Sequence, residues 1–313
     1  MQLNMNKYYD MACVQRLENA KCKIDDSEPY SHYINNDVTY LKSLYKIRTG
    51  MELNLSNPML FTEKLQWLKL YWRDSLAYQY ADKYYIPQIL KDIGLVDLIL
   101  ERLAVFNSAA QIDFQKLPNS FVFKASHASG YNLIVTDKTL IDEERIRKVF
   151  EKLLQIRYFA LKYEWPYEKV TPRIICEPLI QITSSWPIDY KFHCFNGQVK
   201  FCEILNAIPD NETLEEPIEL IVDKNFNHLN FSFGYENRAS FPQSPDFDKM
   251  VMYAETLSKP FPYVRIDLLN LSVGKIKLGE FTFFPGAGFD VIQPKRFQYE
   301  LGSWLKLPSI CVL

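Results

Sequence analysis

Apolar side chains in the first third of the chain recur with helical spacing. Two stripes show this spacing. The first consists of Leu65, Leu68, Lys69 and Trp72, and the second consists of Ile86, Ile89, Leu90 and Ile93. Pro58 and a candidate N-cap, Asp82, punctuate these helices. Residues 1 to about 35 are polar and lack a period. The pattern therefore predicts a loosely held N-terminus followed by a helical segment between residues 36 and 100.

Beyond residue 120 the pattern changes to short β-like runs. Residues 121–125 and 131–135 are predicted strands around a loop of small residues, and residues 143–161 form a strongly amphipathic helix. Further strands are predicted at 173–176, 190–195, 199–205, 220–222, 263–271 and 274–284, with a helix at 246–258. Asn196-Gly197 predicts a tight hairpin turn. Helices followed by mostly antiparallel strands indicate an α+β fold with lobes, not a doubly wound sheet.

Composition narrows the class of partner. The chain of 313 residues has 36 basic and 38 acidic side chains, a net charge of −2. This balance gives no electrostatic reason to expect nucleic acid or an anionic membrane as the main partner. No stretch approaches 18 uninterrupted apolar residues, so no integral membrane segment is predicted. Six scattered cysteines without a CxxC pair indicate reduced thiols and a cytoplasmic protein.

A C-terminal hairpin carries the first candidate chemistry. Counting by two along residues 274–288, GKIKLGEFTFFPGAG, places Glu280 on one face with Ile276, Leu278 and Phe284. If Val273-Gly274 forms the loop, Asp267 faces Glu280 and Arg265 faces Thr282. Two facing carboxylates repel each other, and a divalent cation such as Mg²⁺ would remove the conflict.

Arg265 would then hold a phosphate oxygen beside that cation. The alternative is a register shifted by one residue, in which Glu280 forms ion pairs with Lys275, Lys277 or Arg265. The residues alone leave both interpretations open.

The stretch from residue 121 to 135, FVFKASHASGYNLIV, carries the second candidate. Lys124 lies in a strand, and the residues that follow, Ser126 to Gly130, let backbone N–H groups approach phosphate oxygens closely. The stretch matches neither a Walker A loop nor a dinucleotide-binding glycine motif. An ordinary hairpin with an exposed lysine remains the alternative.

Taken together, these stretches resemble the TupA-like family of the ATP-grasp superfamily, over about residues 45 to 307. The matching segments are NPMLFTEKLQWLKLY (57–71), ADKYYIPQIL (81–90), LPNSFVFKASHASGYNLIV (117–135), PRIICEPLI (172–180), IDYKFHCFNGQVKF (188–201), VRIDLL (264–269), GKIKLGEFTFFPGAG (274–288) and PKRFQYELGSWLKL (294–307). The resemblance implies an ATP-grasp fold, in which two α+β lobes clamp ATP.

By position, the resemblance implies four domains: an irregular extension (1–44), a helical region (45–118), a small lobe with a phosphate loop (119–181) and a large lobe with a metal-binding hairpin (182–313). It also implies roles for particular side chains. Nucleotide-binding positions are Lys83, Lys124, His127, Ser129, Gly130, Asn132, Glu177, Leu179, Ile180 and Asp189. Catalytic positions are Lys191 and Arg265, and metal ligands are Asp267, Glu280 and Thr282.

Three positions depart from the pattern of the superfamily. Thr282 stands where most members have an asparagine ligand, and Ala128 replaces an expected glycine. Asn206-Ala207 falls where a basic residue is expected to anchor the substrate.

The resemblance implies an ADP-forming carboxylate–amine ligase that uses ATP and Mg²⁺ through an acylphosphate. Relatives of this family suggest surface polysaccharide synthesis, in capsule, teichuronopeptide or O-antigen assembly. The expected partners are a carboxylate-bearing sugar or glycan precursor, an amine or amino acid, and peripherally the polysaccharide assembly machinery. A glycosyltransferase of the same pathway is the alternative function, although the chain has no convincing DxD-like motif.

Overall fold

Helices come first along the chain and antiparallel strands dominate after residue 120, so the predicted α+β class is confirmed. The computed structural model describes residues 37–129, 131–180, 189–206, 218–234 and 241–309. The helices are α1 (Asp37–Thr49), α2 (Phe61–Tyr71), α3 (Ser75–Ala81), α4 (Ile86–Asp92), α5 (Glu143–Leu154), α6 (Tyr158–Lys162), α7 (Phe247–Ser258) and α8 (Arg296–Trp304). The strands are β1 (Ala104–Phe106), β2 (Phe121–Ala125), β3 (Asn132–Val135), β4 (Ile174–Pro178), β5 (Asp189–Phe195), β6 (Gln198–Asn206), β7 (Ile218–Val222), β8 (Tyr263–Ser272) and β9 (Lys275–Thr282).

The described residues divide into two compact units. The first unit contains residues 78–94 and 100–180, and the second contains residues 37–77, 95–99 and 189–309. The helical region expected at 45–118 therefore contributes to both units.

The first unit is built on a four-stranded antiparallel sheet in the order β1-β4-β2-β3. Strand β2 alternates as its sequence predicts, because Phe121, Phe123 and Ala125 are buried while Val122 and Lys124 are partly exposed. Helix α5 covers the apolar side of this sheet, with Phe150 packed edge-on against Phe123 at 5.5 Å.

The second unit is built on a five-stranded antiparallel sheet in the order β7-β6-β5-β8-β9. Helix α7 packs on one side, where Phe247 lies 5.6 Å from Phe192. Trp72 is buried in the core, as its helical stripe predicts, and Trp67 is buried as well. On the opposite side of the sheet, Phe195 and Tyr263 pack against Phe61 of α2. The same side also carries the polar side chains of the candidate site.

The terminal hairpin has the predicted register, but not the predicted faces. Asp267 pairs with Glu280 and Arg265 pairs with Thr282, around a Val273-Gly274 turn. Two bulges lie between the turn and these pairs, because Gly279 and Leu271 have no partner across the ladder. Each bulge shifts the register by one residue in the opposite direction, so the shifts cancel at Glu280.

The bulge at Gly279 corrects the face assignment of Glu280. Leu278 pairs with Leu268 and is buried, whereas Glu280 pairs with Asp267 on the other side of the sheet. An extra residue in a strand moves every following side chain to the opposite face relative to simple counting. Glu280 therefore does not share a face with Ile276 and Leu278, and it lies with charged neighbours instead.

Other differences from the sequence predictions are local. The helix predicted over 143–161 ends at Leu154, because its last turn tightens as the Gln155 N–H bonds to the Lys152 carbonyl, and α6 follows separately. Asp82 does not cap α4; its carboxylate accepts from the Tyr84 N–H in the preceding turn. Strand β1 was not predicted. Within the described residues, no helix has the length and apolar character that crossing a bilayer requires.

Candidate functional site

The charged side of the second sheet presents side chains in rows across the strands. One row runs Glu203, Lys191, Asp267 and Glu280, from β6 through β5 and β8 to β9. The next row contains His193, Arg265 and Thr282. Asp189, two residues before Lys191 on β5, projects from the same side. We call the set Asp189, Lys191, Glu203, Arg265, Asp267 and Glu280 the charged face.

Arg265 is the central cation of the charged face. Its Nε lies 2.7 Å from Asp267 Oδ1 and its Nη2 lies 2.6 Å from Oδ2, a bidentate pair. The same Nη2 is 3.3 Å from the Thr282 hydroxyl and 3.9 Å from Glu280 Oε1. Arg265 therefore brings together the three side chains predicted as metal ligands.

Burial and ion pairing have opposite effects on the pKa values of Asp267 and Lys191. Burial raises the pKa of Asp267 to about 6, although Arg265 and Lys191 oppose the shift. Burial would lower the pKa of Lys191, but the carboxylates of Asp189 and Asp267 outweigh it and raise that pKa. Lys191 forms a close ion pair with Asp189. The two predicted catalytic cations are thus both charged and both held by carboxylates.

A buried imidazole that the sequence does not single out, His193, lies behind the charged face. His193 Nδ1 lies 2.7 Å from the Tyr263 hydroxyl, and its Nε2 lies 3.3 Å from Glu203 Oε2. Burial lowers the pKa of His193 to about 4, so the ring is neutral near pH 7. Because a carboxylate only accepts, Nε2–H donates to Glu203 and the Tyr263 hydroxyl donates to Nδ1.

The alternating run DYKFHCF, residues 189–195, contained the available signal for this histidine, since Asp189, Lys191 and His193 share one face. Glu203 could not have been assigned to the same cluster from the sequence. Its pairing with Lys191 depends on a bulge in the β5–β6 ladder after His193.

The donor set of the charged face fits a divalent cation. Four carboxylates (Asp189, Glu203, Asp267 and Glu280) face two permanent cations (Lys191 and Arg265), which leaves two excess negative charges. Among the described residues, no three His, Cys, Asp or Glu side chains gather closely enough to enclose a metal alone. Mg²⁺ does not need such a cage, because it is commonly bound by one or two carboxylates plus water and substrate phosphates. Asp267, Glu280 and the Thr282 hydroxyl supply oxygen ligands of the required kind.

In the first unit, Lys124 is paired with Glu177. Their Nζ and Oε2 atoms are 2.5 Å apart, and the two side chains are 20% and 12% exposed. Lys124 pairs with Ile175 across the β2–β4 ladder and Glu177 with Val122, so the ion pair is diagonal. Leu179 and Ile180 follow directly after β4 and are half-buried. The structure thus brings together two of the predicted nucleotide-binding side chains.

A second basic group lies in the same unit, around the turn that precedes α4. Lys83 is buried, and its Nζ donates to the Ala128 carbonyl over 3.1 Å. Arg102, which the sequence did not single out, donates to the carbonyls of Lys83 and Tyr84. Arg173 Nη1 lies 3.4 Å from Asp82 Oδ2, and its guanidinium stacks 4.2 Å from the Tyr84 ring centre. These contacts fix the Lys83 backbone beside the small-residue loop.

The first half of the small-residue loop is fixed. Ser126, His127 and Ala128 are buried, and the Ser126 N–H bonds to the Arg173 carbonyl. His127 Nε2 lies 3.1 Å from the Leu153 carbonyl, so the ring points toward α5, and burial lowers its pKa. Ser129 is half-buried and Asn132 is exposed at the start of β3, while Gly130 lies outside the described residues.

Comparison with known proteins gives the family. A family model described as TupA-like ATPgrasp matches residues 63–306. No curated protein matches the chain.

Solved structures with similar folds include the ATP-grasp ligase PsnB complexed with minimal precursor, Mg and ADP. It is 15% identical, with 78% of this chain and 66% of that chain covered and a TM-score of 0.40. D-alanine–D-alanine ligase from Bacillus anthracis complexed with ATP is 16% identical, with coverage of 66% and 55% and a TM-score of 0.38. L-amino acid ligase from Bacillus licheniformis is 14% identical, with coverage of 79% and 56% and a TM-score of 0.44.

The chain spans just under two thirds of the PsnB chain and 55% of the D-alanine–D-alanine ligase chain. The family model, in contrast, matches well over half of this chain. The matched residues include the charged face and the Lys124–Glu177 pair. This chain belongs to the TupA-like ATP-grasp family.

Proposed function

We propose that this protein is an ATP-dependent carboxylate–amine ligase that uses Mg²⁺ and works through an acylphosphate. The observation that carries the proposal is the facing pair Asp267 and Glu280, gathered by Arg265 on a charged face with excess negative charge. Phosphoryl transfer depends on positioning and charge neutralisation rather than on a covalent nucleophile. The three described cysteines fit this requirement, because they are buried and burial raises the pKa of Cys176 and Cys194 to about 12.

In this proposal the second unit holds the reacting phosphoryl group. Asp267, Glu280 and Thr282 are the Mg²⁺ ligands, and Mg²⁺ supplies neutralisation of the phosphate oxygens. Arg265 and Lys191 contact the transferring group, and both are cations held in place by neighbouring carboxylates. Asp189 orients Lys191 through their ion pair.

The first unit contributes the remaining nucleotide contacts. Lys124 exchanges Glu177 for the α-phosphate, and Glu177 becomes free to accept from the adenine amino group. The Lys124–Glu177 pair is largely buried, so the exchange depends on the phosphate replacing the Glu177 carboxylate as the anionic partner of Lys124. The backbone of Leu179 and Ile180 meets the edge of the ring. Lys83, Ser129, Gly130 and Asn132 are assigned to the phosphates, while His127 anchors the base of the loop through Leu153.

The proposed reaction has two steps. A carboxylate oxygen of the first substrate attacks the γ-phosphorus, the bond to the β-bridging oxygen breaks, and ADP leaves. The amine nitrogen of the second substrate then attacks the acyl carbon, inorganic phosphate leaves, and the nitrogen loses a proton to give an amide. Arg265 and Lys191 stabilise the negative charge that spreads over the phosphoryl oxygens in the first step.

The proposed substrates are a uronic acid carboxylate on a sugar or glycan precursor and an amino acid or other amine. The proposed setting is surface polysaccharide synthesis in the cytoplasm, where ATP is available and thiols such as Cys176 stay reduced. Family membership supports this setting.

The test is ADP release from Mg-ATP with candidate uronates and amines supplied singly and together. We expect ADP and phosphate in equal amounts only when both substrates are present. Release of UDP from a UDP-sugar without ATP consumption would contradict the ligase proposal. It would support the alternative function, a glycosyltransferase.

The variant Glu280→Gln tests the role of the facing pair Asp267 and Glu280, on which the proposal rests. Removing one of the two facing charges should abolish ATP turnover, a loss of at least about a hundredfold, while the midpoint of thermal unfolding stays near that of the wild type. Glu300→Gln, an exposed carboxylate on α8 in the same unit, is the matched control and should keep full activity. Normal turnover in Glu280→Gln would remove Glu280 from the site.

A further inference from the structure

A turn of unusual backbone follows the metal-binding strand. Residues Pro285–Gly288 contain three successive left-handed positions, with φ of 53° at Gly286, 54° at Ala287 and 68° at Gly288. Ala287 carries a Cβ, which makes this conformation unfavourable. Strained backbone persists only where its surroundings hold it, so the contacts around this turn are informative.

Both glycines of the turn are closely approached by other groups. A Cβ at Gly286 would lie 1.9 Å from the Asp290 carboxylate, and one at Gly288 would lie 2.6 Å from Gln66 Nε2. The turn is therefore packed between Asp290, two residues after it, and helix α2.

Helix α2 holds the turn through two side chains. Lys69 is fully buried; its Nζ donates to the Ala287 carbonyl over 2.7 Å and lies 4.7 Å from the centre of the Phe289 ring. Gln66 Nε2 donates to the carbonyls of Ala287 and Gly288 over 3.2 and 2.8 Å. A fully buried ammonium is expensive, and an apolar side chain would fill the same space at lower cost. What the ammonium adds is a directional bond to the strained carbonyl.

The connection from this turn to the charged face is short. Thr282 is the last residue of β9, and only Phe283 and Phe284 separate it from Pro285. Both phenylalanines are buried, and Phe283 packs 5.9 Å from Trp72 at the end of α2. The backbone position of Thr282 is therefore fixed from both sides, by the β8–β9 ladder and by α2.

We propose that Lys69 is a positioning residue for the Mg²⁺ site, acting with Gln66 through the strained turn on Thr282 and Glu280. Nothing in the proposed reaction uses Lys69 directly, since it is buried and bonded to the turn. This inference rests on the proposed function in one respect, because that function names Mg²⁺ as the ion that Thr282 and Glu280 bind. The contacts of Lys69 and Gln66 with the turn, which we call the clamp, exist in the protein without ligands.

The first measurement therefore uses no ligand. Hydrogen exchange of the backbone amides in residues 283–290 is compared in wild type, Lys69→Met, Gln66→Leu and Leu257→Ala. Leu257, a buried residue of α7 on the other side of the sheet, controls for general loss of stability. We expect exchange in these amides to rise about tenfold in the two α2 variants, beyond the rise in Leu257→Ala. Equal exchange in Lys69→Met and Leu257→Ala would overturn the clamp.

The second measurement is ATP binding by calorimetry with and without Mg²⁺. Lys69→Met should lower the Mg²⁺-dependent part of the affinity about tenfold, as loss of supporting groups does at metal sites, with the Mg²⁺-independent part unchanged. Leu257→Ala should leave both parts unchanged. An intact Mg²⁺ dependence in Lys69→Met would overturn the positioning role, even if the turn loosens. Failure of the wild type to bind Mg-ATP would instead refute the proposed function, and with it the role of Lys69 at that site.

Discussion

At the residue scale, burial decides which side chains around the charged face carry charge. Glu219 on β7 shows this, because burial and the neighbouring Glu203 raise its pKa from 4.5 to about 8. The Phe233 N–H bonds to its carboxyl group over 3.1 Å and only partly offsets the shift. Glu219 is therefore protonated and neutral at pH 7, and it adds no charge to the cluster beside it.

This neutral carboxyl predicts a pH dependence of stability. Between pH 4.5 and 8 the folded state keeps the Glu219 proton and the unfolded state loses it, so stability should fall as pH rises through that window. The slope for one proton is at most about 1.4 kcal/mol per pH unit. The interval above about pH 6.5 is the most informative, because the shifts of Asp267 and His193 act below it.

Urea unfolding of wild type and Glu219→Gln at several pH values from 6.5 to 8 measures this effect. The Gln variant keeps the neutral polar group and should show a flatter profile. Parallel profiles for the two proteins would mean that Glu219 titrates normally.

At the scale of elements, the β8–β9 hairpin depends on the bulge at Gly279. A Cβ at Gly279 would lie 3.1 Å from the Asp267 carbonyl oxygen, a backbone atom that cannot move without moving the strand. The glycine therefore allows the close approach that places Asp267 and Glu280 opposite each other.

Gly279→Ala should accordingly push β9 away from Asp267. We expect a loss of about 1–3 kcal/mol in unfolding free energy and a marked loss of Mg²⁺-dependent ATP binding. Gly274→Ala is the matched control: at a φ of 75° with open space around it, it strains the hairpin turn without touching Asp267. If both variants bind ATP equally well at equal stability, the bulge has no part in forming the site.

At the scale of the whole molecule, nucleotide binding should appear as thermal stabilisation. A ligand that binds only the folded state at a hundred times its Kd adds about 2.7 kcal/mol. Mg-ATP should therefore raise the unfolding midpoint of the wild type, and Lys124→Met should lose most of this shift. Lys116→Met, which removes an exposed lysine of the same unit, should keep it. An undiminished shift in Lys124→Met would show that Lys124 is not a nucleotide contact.

The sequence predicts the elements that have strong periodicity. The stripe of Leu65, Leu68, Lys69 and Trp72 is buried as its spacing indicates, and the α+β class follows from the order of the elements. The pairing of Asp267 with Glu280 was also predicted from the loop length, although it arises by the cancellation of two bulges. Bulge positions depend on close approaches such as that at Gly279, which only the folded chain contains.

What the sequence cannot predict comes from long-range packing. His193 and Glu203 meet across a ladder whose register shifts between them, and the role of Lys69 depends on a turn more than 200 residues away along the chain. The short strand β1 has three residues and no distinctive pattern, and only its pairing with β4 defines it. The metal site at Asp267 and Glu280 was inferred from the hairpin register, whereas Thr282 and the individual nucleotide contacts came from the family resemblance; all of these assignments stay predictions.

The joining of α2 to the C-terminal helix has a consequence for biosynthesis. Lys64 Nζ donates to the carbonyls of Gly302 and Leu305, and the Gln298 side chain accepts from the Thr62 hydroxyl. Residues 61–71 therefore leave the ribosome well before their partners exist, with a delay of roughly 12–50 s at typical rates of translation. The first unit, which ends by residue 180 of the described chain, can fold during that interval. The second unit can close only after α8 is made, so we expect it to finish folding after the first unit.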